Sequence, residues 1–215
     1  MTAFLSIIKA SYARYALFGA VLLCLGIACE EDDGLGSLTK TTYDGNPDIF
    51  MMGQSNANDD LAAEIAKASG KTIHQISHGG QAIHRWFEDP YNWLESDMAF
   101  LGNRTFQYFI WFQGESNLTN RAKYEDMLKQ IIEAASPSTA PVVIIVGVWV
   151  SDPDPAAFRN YQMAMCDRNE NFYFVDSMGC ERSDGVHLTR AGQQLLARRI
   201  SNLIVRLESD IESNQ

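Results

Sequence analysis

Ser55, Asp184 and His187 are residue types that, brought together, could cleave an ester. Ser55 follows a short apolar run and a glycine, Ile49-Phe50-Met51-Met52-Gly53-Gln54-Ser55-Asn56, the pattern of a strand ending in a sharp turn before a helix. Such a turn can hold a hydroxyl out of a sheet edge while backbone N–H groups converge on the same place. A serine there also reads as a helix cap, so a nucleophile needs partners. It needs a base, and the base needs a group that fixes its tautomer and stabilises the imidazolium. Asp184-Gly185-Val186-His187 offers both, because a carboxylate three residues ahead in a turn can reach Nδ1 and leave Nε2 facing Ser55. By itself His187 also reads as a helix-capping or surface residue.

The tetrahedral intermediate of ester cleavage further requires hydrogen-bond donors for its oxyanion, each worth about 3–4 kcal/mol of barrier. The candidates are the backbone N–H of Ser55, the N–H of Gly80 in His78-Gly79-Gly80, and the side-chain amide of Gln113 in Gln113-Gly114-Glu115-Ser116-Asn117. The glycine pair also reads as a plain turn, and Gln113 as a strand-end hydrogen bonder. Gln54, Asn56, Glu115 and Asn117 are candidate supports of the site. Glu115 has two readings: it buttresses the Ser55 turn, or it competes with Asp184 for His187, and the first is favoured.

These residues need elements to position them. Strands are predicted from about Ile49 to Met52, at Thr72–Ser77, Phe106–Phe112, Val142–Val150 and Phe172–Val175, with the very apolar Val142 strand placed centrally. Helices are predicted at Asp60–Ser69, stopping at Gly70, from a cap at Thr119 or Asn120 through Ala135, at Phe158–Cys166, and at Thr189–Leu207. Between His78 and Arg104 the sequence predicts an aromatic-rich loop without a long helix. Trp86, Phe87, Tyr91 and Trp93 there are candidates to stack on a sugar or to close a core edge. Alternating strands and helices imply an α/β three-layer sandwich with a mostly parallel sheet of about five strands and helices on both faces. Ligands bind at the carboxyl ends of such strands, where all four polar clusters fall.

Three blocks in order, Gly53-Gln54-Ser55-Asn56, Trp111-Phe112-Gln113-Gly114-Glu115-Ser116-Asn117 and Asp184-x-x-His187, resemble the SGNH-hydrolase superfamily, and within it the sialate O-acetylesterase and acetylxylan-esterase group of carbohydrate esterases. The resemblance implies a flavodoxin-like fold, Ser55 as nucleophile, His187 as base, Asp184 as its orienting acid, and oxyanion donors from Ser55, Gly80 and Gln113. It implies no cofactor and no metal, and no Cys/His spacing here has the form of a metal site. The glycine block departs from the family, which often has Thr or Ser where this chain has Gln81.

The remaining sequence bounds the setting. A length of 215 residues with 46% hydrophobic and 20% charged residues is that of one globular domain. Lys9 and Arg14 before the uncharged run Ala16–Ala28 have signal-peptide proportions, so residues 1–28 are expected to direct export. Leu25-Gly26-Ile27-Ala28-Cys29 resembles a lipobox, with Leu25 one position early, and implies lipidation of Cys29; ordinary cleavage and secretion is the alternative. Residues 29–46, beginning Glu30-Glu31-Asp32-Asp33, read as an acidic and flexible tether, 47–208 as the catalytic domain and 209–215 as a tail. A net charge of −10 disfavours nucleic acid and anionic membranes as partners, leaving membrane contact to the lipid on Cys29. With Cys24 and Cys29 accounted for, Cys166 and Cys180 read either as a disulfide or as two buried thiols. The expected substrate is an acetylated carbohydrate. The alternatives are a general short-chain carboxylesterase or lipase and a non-catalytic glycan-binding lipoprotein.

Overall fold

Apolar runs on both faces of a strand force a sheet to be covered twice, and here two groups of helices cover it. A computed structural model describes residues 38–41, 45–151 and 154–213. The expected signal segment, Cys29 and the acidic run lie outside the described residues. Strands β1 (Leu38–Thr41), β2 (Ile49–Gly53), β3 (Ile73–His78), β4 (Tyr108–Phe112), β5 (Val142–Gly147) and β6 (Phe172–Asp176) form one sheet in the order β1-β3-β2-β4-β5-β6. Five strands are parallel, and β1 pairs antiparallel with β3 at the edge. The helices are α1 (Asp59–Ser69), α2 (Trp93–Leu101), α3 (Tyr124–Ala135), α4 (Ala156–Arg168) and α5 (Arg190–Ser213).

Alternation along each strand sends Phe50, Met52, Phe109, Trp111, Val143 and Ile145 into a core shared with α2, α3 and α4. Their neighbours Ile49, Met51, Ile110, Ile144 and Val146 enter a second core with α1 and α5. Burying each such Ile, Val or Phe is worth about 1.5–3 kcal/mol, so register is strongly specified on both faces. In that register Gly53 lies beside both Ser77 and Phe112, so the loops after β2, β3 and β4 leave the sheet together.

The α/β reading holds, with several local corrections. The stretch read as tether contains β1. β5 stands next to the edge strand β6, and β2 and β4 are the central pair. α2 occupies the predicted aromatic loop, and Trp86 and Trp93 are core residues, 0% and 9% exposed, that cannot offer their faces to a sugar. α3 begins at Tyr124 without a side-chain cap, because Asn120 is used in the preceding turn, where its carbonyl accepts from Asn117 and its side chain from Ala122 N–H. α5 continues through the expected tail to Ser213. Cys166 and Cys180 are two thiols on opposite faces of the sheet, and burial pushes the Cys166 thiol up to about 12. Among the described residues no helix is long and apolar enough to cross a membrane.

Candidate active site

β2 ends at Gly53, whose backbone lies against Phe112 of β4. A Cβ on Gly53 would lie 2.0 Å from the Phe112 carbonyl oxygen, so only glycine fits. Gln54 N–H donates to that same carbonyl at 3.0 Å, and Ala57 N–H donates to Gln54 C=O at 2.8 Å, which closes the turn and lifts Ser55 out of the sheet. Asn58 then caps α1 by accepting from Leu61 N–H at 3.0 Å, while its amide donates to Ser55 C=O at 3.0 Å. The capping role that Ser55 could have taken belongs to Asn58.

The far end of the chain meets this turn. Ser55 Oγ lies 3.0 Å from His187 Nε2, and His187 Nδ1 lies 2.6 Å from Asp184 Oδ2. The other Asp184 oxygen accepts from the backbone N–H groups of Val186 and His187 at 2.9 and 2.7 Å. These hydrogen bonds, led by the one from the His187 ring, hold the Asp184 carboxyl well below the usual carboxylate range. A carboxylate can only accept, so Nδ1 carries the ring proton and Nε2 is free to accept from the Ser55 hydroxyl. Both side chains are about half exposed, so the site is open to solvent.

Asn56 joins the two ends. Its amide nitrogen donates to Glu115 Oε1 at 2.9 Å and to Val186 C=O at 3.1 Å, and its oxygen accepts from Leu188 N–H at 3.0 Å. The residue after Ser55 is thus tied to both chain neighbours of His187. Glu115 meets Asn56, whereas the His187 ring meets Asp184: burial pushes the Glu115 carboxyl up against the hydrogen bond from Asn56, and its Oε2 is buried without a partner among the described residues. Replacing Asn56 by Ala strips partners from Leu188 N–H, Val186 C=O and Glu115 together, and an unmet buried polar group costs about 1–3 kcal/mol. The variant is expected to lose about 2–4 kcal/mol of stability, checked by urea unfolding at fixed temperature, where an unchanged midpoint would refute the clamp.

Gln54 and Asn117 each tie neighbouring loops together. Gln54 Oε1 accepts from Gly114 N–H at 2.9 Å, and Asn117 Oδ1 accepts from Ile83 N–H at 2.9 Å. Gln113 corrects an expectation. Its amide donates to Gln81 C=O at 3.1 Å and to Asn117 Oδ1 at 2.7 Å, so both hydrogens are spent inside a fully buried residue and neither faces an oxyanion. Gln113 braces the glycine loop. The N–H groups of Ser55 and Gly80 have no hydrogen-bond acceptor among the described residues. His78, expected among the polar clusters, turns inward to Asp97, which also accepts from Trp86 Nε1. Sequence reasoning missed Asp97 and Ser116; the second lay within a recognised block.

Residues 60–206 match the family described as carbohydrate esterase, sialic acid-specific acetylesterase. The chain belongs to that family. It is a hydrolase of acetyl esters with an SGNH-type fold. Among solved structures it is similar to a Slackia heliotrinireducens protein described as an SGNH hydrolase, at 16% identity and a TM-score of 0.58, covering 72% of this chain and 96% of that one. It is also similar to a carbohydrate esterase family 2 enzyme with a carbohydrate-binding domain from Corynascus thermopiles, at 12% identity and a TM-score of 0.59 over 78% of this chain and 68% of that one. An Arabidopsis thaliana protein is 19% identical with a TM-score of 0.54, and the alignment spans 68% of this chain but only 66% of that protein. No curated protein sequence matches the chain.

Proposed function

We propose that this esterase removes O-acetyl groups from carbohydrate through an acetyl-enzyme on Ser55. The observation that carries the reading is the unbroken Ser55–His187–Asp184 hydrogen-bond chain. Ser55 Oγ attacks the acetyl carbonyl carbon while His187 Nε2 takes its proton. The oxyanion is held by the N–H groups of Ser55 and Gly80. Collapse breaks the bond to the sugar oxygen, which leaves with the proton from His187, and Ser55 retains the acetyl group. Water, deprotonated by His187, then attacks and releases acetate. The half-exposed dyad suits an acetyl group presented on a large or branched glycan, acetylxylan or an acetylated sialic acid. A glycan-binding role without catalysis would not require Nε2 within hydrogen-bond reach of the hydroxyl. The same reading takes the enzyme to work outside the cytoplasm, lipid-anchored or secreted, supported by the signal-like run Ala16–Ala28 and the lipobox-like Cys29.

The test incubates the domain beginning after Cys29 with acetylxylan, O-acetylated sialic acid and p-nitrophenyl esters from acetate to octanoate, followed by a fluorophosphonate label mapped by mass spectrometry. Acetate release from a glycan and a label on Ser55 are expected. Activity rising with acyl length would assign a general carboxylesterase instead, and a label elsewhere would refute the mechanism.

A further inference from the structure

The Gly80 donor stands in the loop that departs from β3. Gly80 has φ +69° and empty space where a Cβ would be, so it is glycine for its left-handed conformation and not because anything crowds it. On one side the loop is anchored by buried His78, whose Nε2 lies 2.9 Å from Asp97 Oδ2. On the other it is anchored by Gln113 at Gln81 C=O and by Asn117 at Ile83 N–H. Between these anchors one side chain reaches the glycine itself: Ser116 Oγ, 2.9 Å from Gly80 C=O.

The same Oγ lies 2.7 Å from Gln54 Nε2. Gln54 Oε1 accepts from Gly114 N–H, which fixes the amide so that Nε2 points at Ser116 as a donor. With its lone pair taken by Gln54, the Ser116 hydroxyl directs its hydrogen to Gly80 C=O. The hydroxyl thereby links the residue before Ser55 to the peptide after the Gly80 N–H.

We propose that Ser116 is a positioning residue that sets the Gly80 N–H at its working distance from the Ser55 turn. The proposal rests on the reading of Ser55 as nucleophile and Gly80 as oxyanion donor. Ser116 is exposed and outside both cores, so removing its hydroxyl leaves the packing intact. A misplaced donor is felt when the oxyanion forms and much less when substrate binds.

The experiment compares the wild type with Ser116→Ala and Ser116→Thr, measuring kcat and KM on p-nitrophenyl acetate, Tm, and the Ki of a boronic acid. The boronic acid adds to the serine oxygen and presents a tetrahedral anion to the donors. Ser116→Ala is expected to lower kcat about 10- to 100-fold with KM and Tm nearly unchanged, and to raise the boronate Ki by the same factor. Ser116→Thr, which keeps the hydroxyl, is expected to restore both. Wild-type kcat in Ser116→Ala, or a loss of kcat with unchanged boronate Ki, overturns the positioning role. Failure of the underlying reading looks different: Ser55→Ala would then keep its activity, or the boronate would not inhibit the wild type at all.

Discussion

Replacing Ser55 by alanine is expected to lower kcat/KM on p-nitrophenyl acetate by about a million-fold, and His187→Ala by about as much, because nucleophile and base act as one unit. Each is useless without the other: the alanine at 55 has no oxygen to acylate, and a serine hydroxyl with no base within 3.0 Å keeps its proton. The double variant is therefore expected to be no slower than either single one. Residual rate above the uncatalysed reaction would come from the remaining oxyanion donors and from substrate binding. Ser55 is partly exposed and, among the described residues, its hydroxyl bonds the His187 ring alone, so Tm should not move. Steady-state kinetics on purified protein decides it. A Ser55→Ala variant within ten-fold of the wild type would end the acetyl-enzyme mechanism.

That hydrogen-bond chain is legible in the sequence because its parts are local. A strand, a glycine and a serine occupy consecutive positions, and the carboxylate and imidazole are three residues apart, so each half of the site is a short-range pattern. The oxyanion arrangement was less legible because it depends on which donors are already spent. A glutamine at a strand end can reach out to substrate or inward to a loop, and the acceptors at Gln81 and Asn117 show that Gln113 reaches inward. α2 was hidden for a related reason. Its buried residues Trp93, Asp97 and Leu101 have helical spacing, but the middle one is an aspartate. An acidic residue breaks the apolar stripe that periodicity looks for, and it is tolerated here only because His78 and Trp86 satisfy it inside the core. β1 escaped notice because Leu-Thr-Lys-Thr on a sheet edge has no continuous apolar run to announce it.

The block Gln113–Asn117 changes in meaning as well. Read as sequence, it offered one oxyanion donor and some support. In the fold, its side chains fasten three pieces of the site: Gln113 and Asn117 hold the glycine loop, Glu115 holds Asn56, and Ser116 spans from Gln54 to Gly80. The reacting groups sit on three separate loops, and this block at the end of the central strand β4 sets the distances between them. Preorganisation of this kind matters because a displacement of about 1 Å can cost about 100-fold in rate.

Asp184→Asn is expected to cost about 10,000-fold in kcat while leaving KM nearly unchanged, a loss on the scale of the equivalent change in serine proteases. The aspartate accepts from Nδ1–H; the asparagine can turn its NH2 toward Nδ1 and so stabilise the tautomer with hydrogen on Nε2, which cannot take the serine proton. The sign of the pH effect follows from the depressed Asp184 carboxyl. A carboxylate held below its ordinary value of 3.8 gives its contribution in full above that value and loses it only as the pH falls through the lower folded one. Asp184 is therefore ionised throughout the neutral and mildly acidic range, so its own titration should leave no step there in the wild-type pH–kcat profile. Glu115→Gln is the control. Glutamine still accepts from Asn56 through its carbonyl and leaves the Asp184–His187 hydrogen bond in place, so a far smaller loss is expected. If Glu115→Gln instead matched Asp184→Asn in kcat, the orienting role would belong to the buried carboxyl and the exposed one would be incidental.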